Sequence, residues 1–162
     1  MSHIADGVNR RPGYSHSRRN SAKSTSAELA TQSFSQLAGS IESGELSPVA
    51  LTEHMLERVH KLNPALKAYN TVTAEQALQA AAAAEQEISE GKYRGPLHGI
   101  PVGLKDLLQT KNVRTTVSSR ILGDWVPDSN ATVVDKLEAA GAISLGKLNM
   151  TEFALSGYHP EL

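Results

Sequence analysis

The sequence predicts an α/β protein, because segments with a helical spacing of apolar residues alternate with short apolar segments typical of buried strands. Three such strands are predicted, at 66–72, 100–108 and 142–146. Capping residues and glycines separate the segments, which supports the division into elements. A hydrophobic content of 40% and a charged content of 20% are ordinary for a globular domain.

Composition excludes several classes of function. The net charge of -1 gives no reason to expect nucleic acid or an anionic membrane as a partner. Without cysteine there is no disulfide, no thiolate nucleophile and no cysteine-bound zinc. No apolar run approaches the roughly 18 residues that span a bilayer. We therefore expect a soluble, cytoplasmic protein without direct nucleic-acid or membrane contacts.

The N-terminal region differs from the rest in composition. Residues 1–27 contain five basic residues and one acid, and they are rich in serine but poor in large apolar residues. We predict a disordered basic tail over 1–24 and an ordered portion over 25–162. Organelle targeting by the tail is a minor alternative, because the segment lacks an amphipathic apolar face.

Two helices are predicted first. The first begins with the capping-box pattern Thr25–Glu28 and ends at Gly44. The second begins at Ser47-Pro48 and is predicted to end at Asn63-Pro64. Their apolar stripes consist of Ala30, Phe34, Leu37 and Ile41 in the first and Leu51, Met55, Val59 and Leu62 in the second.

The later elements follow the strand at 66–72. Thr73–Gln76 is predicted to cap a third helix, which continues through the alanine run 80–84 and closes at Gly91. Short alanine side chains should let this helix lie close to a neighbour. A fourth helix at 131–140 precedes the strand at 142–146, and Asn149–Glu152 predicts the cap of a short fifth helix.

Lys105 is the most informative residue, because it lies in the apolar stretch GIPVGLKDL at 99–107. A lysine in this setting either extends its amine to solvent or is desolvated. Composition alone favours the first alternative. Desolvation would disfavour the ammonium form, as a catalytic base requires.

Two other signals carry no chemistry. Gly141–Lys147 matches the first seven positions of a phosphate-binding loop, but Leu148 replaces the Ser or Thr that would hold magnesium. The intervening residues also read as a buried strand. No histidine or acidic spacing resembles a metal site, so we predict neither a metal nor a cofactor.

Three ordered stretches resemble the amidase signature family of serine hydrolases. They are the G-x-L-x-G-I-P-V-x-L-K-D stretch at 95–106, R-T-T at 114–116 and G-K-x-N-M-x-E-F at 146–153. The resemblance extends from about Ser33 to the last residue. It implies the N-terminal part of an α/β/α fold with a mixed central sheet, preceded by helices.

The resemblance also implies the chemistry, which is hydrolysis of carboxamide C–N bonds by a Ser–Ser–Lys triad. Lys105 matches the lysine general base, whose neutral amine takes a proton from a bridging serine, and the apolar strand is expected to lower its pKa. The implied substrate is a small-molecule amide, and the full-length enzyme could form a homodimer. Supporting active-site positions by resemblance are Gly103, Asp106, Ser119, Phe153 and Ala154.

Departures from the family pattern leave alternatives open. Ser118 and Asn112 stand where glycine is common. The bridging serine and the nucleophile would lie beyond Leu162, so we expect a truncated domain that is inactive alone. One alternative is a protein like the ammonia-releasing subunit of glutamyl-tRNA amidotransferase, which would need partner subunits. The other is a non-catalytic remnant.

Overall fold

The computed structural model describes residues 29–155, which form helices packed against a three-stranded mixed sheet. The strands are β1 at Tyr69–Val72, β2 at Pro101–Lys105 and β3 at Ile143–Leu148. Strand β3 lies in the middle, antiparallel to β1 and parallel to β2. The prediction of an α/β fold with a mixed sheet is confirmed. The predicted tail at 1–24 lies outside the described residues.

Helices occur where the sequence predicts them, with differences at their ends. They are α1 at Phe34–Glu42, α2 at Pro48–Leu66, α3 at Ala74–Ser89 and α4 at Thr132–Ala139. Within residues 29–155, no helix combines the length and the apolar character needed to cross a bilayer.

Helix α1 begins later than predicted. Residues 30–32 form a turn and a bend, and Ser33 caps the helix in a reciprocal pair with Gln36. The Ser33 backbone N–H and hydroxyl both donate to Gln36 Oε1, and the Gln36 N–H donates back to the serine hydroxyl. The predicted cap at Thr25 lies outside the described residues. The prediction of a continuous helix through Ala30 was wrong, because this local capping box starts a new helix.

Helix α2 continues past the proline that was predicted to end it. Pro64 lies in its last turn, and the helix ends at Lys67 in the left-handed conformation. A proline there removes one hydrogen bond, whereas the side chain of Asn63 makes two with the start of β1. Its amide donates to the Tyr69 carbonyl (3.1 Å) and accepts from the Tyr69 N–H (2.8 Å).

The alanine face of α3 packs closely on β3, as predicted. Ala77 and Ala81 are fully buried in one apolar cluster with Ile143 and Leu145. The predicted N-terminal capping box is absent, because the Thr73 hydroxyl donates instead to the Ser144 carbonyl (3.1 Å). The start of α3 is thereby attached to the central strand. A second apolar cluster joins α1 and α2 to Ile100 and consists of Leu37, Ile41, Leu51 and Ile100.

Strand β3 contains a glycine, Gly146, at a position where β1 leaves no room for a side chain. Gly146 has φ +137°, and a Cβ built there would lie 2.1 Å from the Thr71 carbonyl oxygen on β1. The register between β2 and β3 also shifts at this point, between Val102 and Gly103. A side chain at position 146 would therefore push β1 and β3 apart.

We expect Gly146→Ala to lower the free energy of unfolding by about 3 kcal/mol, because the backbone oxygen of Thr71 cannot move away cheaply. Urea denaturation measures the change. Gly39→Ala is the matched control: Gly39 lies exposed in α1 with nothing within 4 Å of its added Cβ. That variant should gain up to about 1 kcal/mol from helix propensity. Equal midpoints for the two variants would contradict the close approach.

Candidate active site

Two adjacent charged residues at the carboxyl end of β2 differ in their exposure to solvent. Lys105, the last residue of the strand, is exposed, whereas Asp106 is completely buried. Among residues 29–155, no group lies within hydrogen-bond or ion-pair distance of the Lys105 amine. The strand therefore directs Lys105 outward, and the apolar neighbours predicted to desolvate it do not bury it.

Asp106 accepts hydrogen bonds from two separate segments. Its Oδ2 accepts from the backbone N–H (3.1 Å) and the hydroxyl (2.5 Å) of Thr116, and from the Asn70 side-chain amide (3.0 Å). Its Oδ1 has no hydrogen bond and lies 3.7 Å from Lys147 Nζ. The carboxylate thus joins the end of β2 to strand β1 and to the loop after Val113.

Lys147 is the buried lysine of this site, and the sequence analysis missed it. Its ammonium donates to the Thr115 hydroxyl (2.7 Å) and to the Leu108 carbonyl. Burial lowers its pKa, while the Asp106 carboxylate acts in the opposite direction. A lysine inside the buried-strand pattern of β3 was the available signal. Because this lysine is committed to internal partners, the structure agrees with the rejection of a phosphate-binding loop at 141–147.

The loop at 115–119 has an unusual backbone. Val117 and Ser118 have φ +54° and +51°, in the left-handed region that L-residues avoid at a cost of about 1–2 kcal/mol each. Asn112 also has a positive φ, +60°. Two of these positions, 112 and 118, are those where the resembled family commonly has glycine. Asn112 and Ser118 therefore occupy positions whose backbone conformation favours glycine.

Ser118 offsets this strain with its hydroxyl. Its Oγ accepts from the Asn70 side-chain amide (2.9 Å) and the Met150 N–H (3.2 Å), and it donates to Asn149 Oδ1 (3.0 Å). These bonds join the loop to β1 and to the segment after β3. Asn70 consequently bridges the Asp106 carboxylate and the Ser118 hydroxyl.

Comparison of two variants at position 118 separates the backbone strain from the hydroxyl bonds. Ser118→Gly and Ser118→Ala both lose the hydroxyl, but only alanine retains the left-handed penalty. We expect Ala to be less stable than Gly by about 1 kcal/mol. Thermal or urea unfolding measures this difference. An alanine variant as stable as the glycine variant would contradict the left-handed conformation.

The remaining predicted positions lie around this loop. The buried Ser119 donates its hydroxyl to Glu152 Oε1 (2.6 Å) and accepts from the Ile121 N–H (3.2 Å). Phe153 is 38% exposed, and its N–H donates to the Val117 carbonyl (3.1 Å). Ala154 is exposed. The loop at 115–119 is thus joined to the segment at 152–153 by two bonds, one from Ser119 to Glu152 and one from Phe153 to Val117.

The predicted fifth helix is corrected by the structure, and the surroundings of Gly103 are now defined. The short fifth helix is a single 3-10 turn at Glu152–Ala154, because Phe153 and Ala154 have positive φ values that an α-helix excludes. A Cβ at Gly103 would lie 2.9 Å from the Tyr69 hydroxyl and 3.0 Å from the Leu148 side chain, so the ends of these two side chains would have to shift. Among the residues described, no three His, Asp or Glu side chains are grouped to hold a metal ion.

The sequence and the fold are similar to those of known proteins. The protein-family model described as Amidase matches residues 50–161, which is more than half of the chain. The chain belongs to the amidase family.

Similar proteins include two curated relatives and a solved structure. "Putative amidase AmiD" of Mycobacterium tuberculosis is 45% identical over 129 residues, covering 80% of this chain and 27% of the relative. One subunit of the glutamyl-tRNA(Gln) amidotransferase of Dehalococcoides mccartyi is 53% identical over 111 residues, covering 68% and 23%. The native peptide amidase from Stenotrophomonas maltophilia superimposes with a TM-score of 0.73 at 36% identity, covering 77% and 26%. The chain spans about a quarter of the length of these relatives.

Proposed function

We propose that this chain contributes the lysine general base of an amide-hydrolysing active site, and that Lys105 is that base. The observation that carries the proposal is the placement of Lys105. It is exposed at the end of β2, has no partner among the described residues, and directly precedes the buried Asp106. An amine in this position is available to a reacting group, whereas Lys147 is not.

The proposed chemistry requires two serines from outside this chain. The neutral amine of Lys105 takes a proton from a bridging serine, which takes one from the nucleophilic serine as that oxygen attacks the amide carbon. The C–N bond then breaks as the leaving nitrogen takes this proton from Lys105 through the bridging serine, and water hydrolyses the resulting serine ester to restore the enzyme. An ordinary lysine, with a pKa of about 10.4, is almost entirely protonated at neutral pH and cannot accept this proton. The required desolvation must come from residues beyond those described.

The serines present near Lys105 are poor nucleophiles. The hydroxyls of Ser118 and Ser119 donate to Asn149 and Glu152 respectively, and both also accept backbone N–H bonds. These bonds hold the hydroxyls as structural groups of the loop. We infer that residues 29–155 provide neither the nucleophile nor the backbone donors that stabilise a developing oxyanion.

A hybrid enzyme tests the proposal. The matched segment of this chain would replace the corresponding quarter of the Stenotrophomonas peptide amidase, which keeps the rest of that enzyme intact. We expect the folded hybrid to release ammonia from a peptide amide, and the isolated 162-residue chain to give only the buffer rate. Hydrolysis by the isolated chain that Ser118→Ala or Ser119→Ala abolishes would contradict the proposal, because the nucleophile would then lie within the chain.

A second candidate is the ammonia-releasing component of a tRNA amidotransferase. The 53% identity to the Dehalococcoides amidotransferase protein supports it, since the identity to AmiD is 45%, although over a longer span. A matching hybrid on that amidotransferase protein, assayed for glutamine hydrolysis together with its partner subunits, distinguishes the two. A larger fraction of parental activity in the peptide amidase hybrid, in spite of its lower identity of 36%, would favour the amidase. The opposite order would favour the amidotransferase.

A further inference from the structure

We propose that Lys147 is a positioning residue for Lys105 and acts through Asp106 and the turn that follows β2. This inference rests on the proposed role of Lys105 as the base. Lys147 itself is completely buried on the neighbouring strand β3, so it acts on the reacting groups only through the backbone that it holds.

Lys147 holds both sides of one turn. Its ammonium faces the Asp106 carboxylate at 3.7 Å and donates to the Leu108 carbonyl. The Leu108 N–H in turn donates to the Lys105 carbonyl (2.9 Å). Lys105 is therefore the first residue of a closed turn whose second and fourth residues both contact the same ammonium.

The Asp106 carboxylate also fixes the strained loop beside this turn. Thr116 donates twice to Asp106 Oδ2, and the Val117 N–H donates to the Asp106 carbonyl (3.3 Å). The Asp106 side chain and carbonyl accept these bonds together, and the Lys147 ammonium lies 3.7 Å from the same side chain. Removal of that ammonium should loosen the loop and the turn together.

The ionic character of the Asp106–Lys147 pair also favours a positioning role. A buried ion pair is weak evidence for stability, since apolar residues of similar volume often replace one without loss. This pair does more than join two strands, because its two charges make directional bonds at the turn and at the loop. The turn begins at Lys105 and the loop bonds to the next residue, Asp106, and an apolar pair would hold neither segment.

Amide exchange in the 162-residue chain, measured by NMR, tests the inference. Lys147→Met keeps most of the apolar stem and removes the charge. We expect the Leu108 and Thr116 amides to exchange faster by about tenfold, the equivalent of one net hydrogen bond. The Lys105 amide and side-chain Cε resonances should shift. The Ile143 amide, which donates to the Ile100 carbonyl, serves as the reference: it reports the overall loss of stability, and the acceleration at Leu108 and Thr116 is expected beyond it.

The control and the second variant make each outcome decisive. Lys136→Met, on the exposed surface of α4, should leave all of these signals unchanged. A purely stabilising role would accelerate the Ile143 amide equally and leave the Lys105 resonances in place, which would overturn the inference. If Lys147→Met does not fold, Asp106→Asn/Lys147→Met removes both charges together. Wild-type Lys105 resonances in that folded double variant would equally overturn it.

The hybrid enzyme separates this inference from the proposed function. There, Lys147→Met should lower kcat with little change in KM, because a misplaced base can cost about 10²-fold without affecting substrate binding. Full activity of a Lys105→Ala hybrid would refute the role of Lys105 as the base. Unchanged exchange and resonances in the isolated chain would refute the positioning role alone.

Discussion

Replacement of Lys105 by alanine in the peptide amidase hybrid should lower amide hydrolysis by about 10²–10⁴-fold, the usual cost of losing a general base. The fold should be unaffected, because the Lys105 side chain is exposed and has no partner among residues 29–155. The effect should appear in kcat, since the amine acts on the proton of a serine and not on substrate binding. Steady-state release of ammonia and a circular dichroism spectrum together measure the change.

Two matched variants define what is lost. Lys105→Arg preserves the positive charge but provides no neutral amine, and it should be as inactive as alanine. Lys136→Ala, on the exposed surface of α4, should retain full activity. A Lys105→Ala hybrid with the wild-type spectrum and near-full activity would remove Lys105 from the mechanism.

Removal of either partner of the buried Asp106–Lys147 pair should cost about 3–5 kcal/mol of unfolding free energy, because the remaining charge is buried without compensation. Both side chains are 0% exposed, and their charged atoms lie 3.7 Å apart. Asp106→Asn and Lys147→Met are the variants to compare by urea denaturation of the isolated chain. Lys92→Met is the control, because Lys92 pairs with Glu90 at the surface and should change stability little.

The double variant Asp106→Asn/Lys147→Met completes a thermodynamic cycle. Its stability should be greater than the sum of the two single losses predicts, because no lone charge remains buried. Additive losses would show that the two groups do not interact, and the site would then lack its central contact.

The sequence predicted elements well where a local interaction decides them. The Ser47-Pro48 start of α2 and the close packing of the α3 alanines were found as expected. Prediction was wrong where a distant residue competes. The Thr73 hydroxyl bonds to Ser144, 71 residues away, instead of capping α3, and spacing along the chain contains no information about that partner. The ends of α1 and α2 were also wrong, at two local contacts: the Ser33–Gln36 capping box and the bonds between Asn63 and Tyr69.

The candidate site shows the same division. The apolar stretch around Lys105 predicted a desolvated lysine, but within residues 29–155 that lysine is exposed and the buried one is Lys147. Burial depends on the strand's place in the sheet: β2 lies at the edge of the described sheet and β3 in its centre. Lys147 is therefore completely buried, whereas Lys105 is exposed. Strand order is a tertiary property, and the apolar sequence neighbours of Lys105 and Lys147 do not reveal it.

The pH dependence of kcat/KM in the peptide amidase hybrid tests the central claim, that a neutral lysine amine is the base, most directly. The ammonium form cannot accept a proton, so hydrolysis should decline as the pH falls from mildly alkaline to mildly acidic values. The decline should follow the protonation of a single group. A flat profile across this range, in a hybrid that stays folded throughout, would contradict a lysine general base.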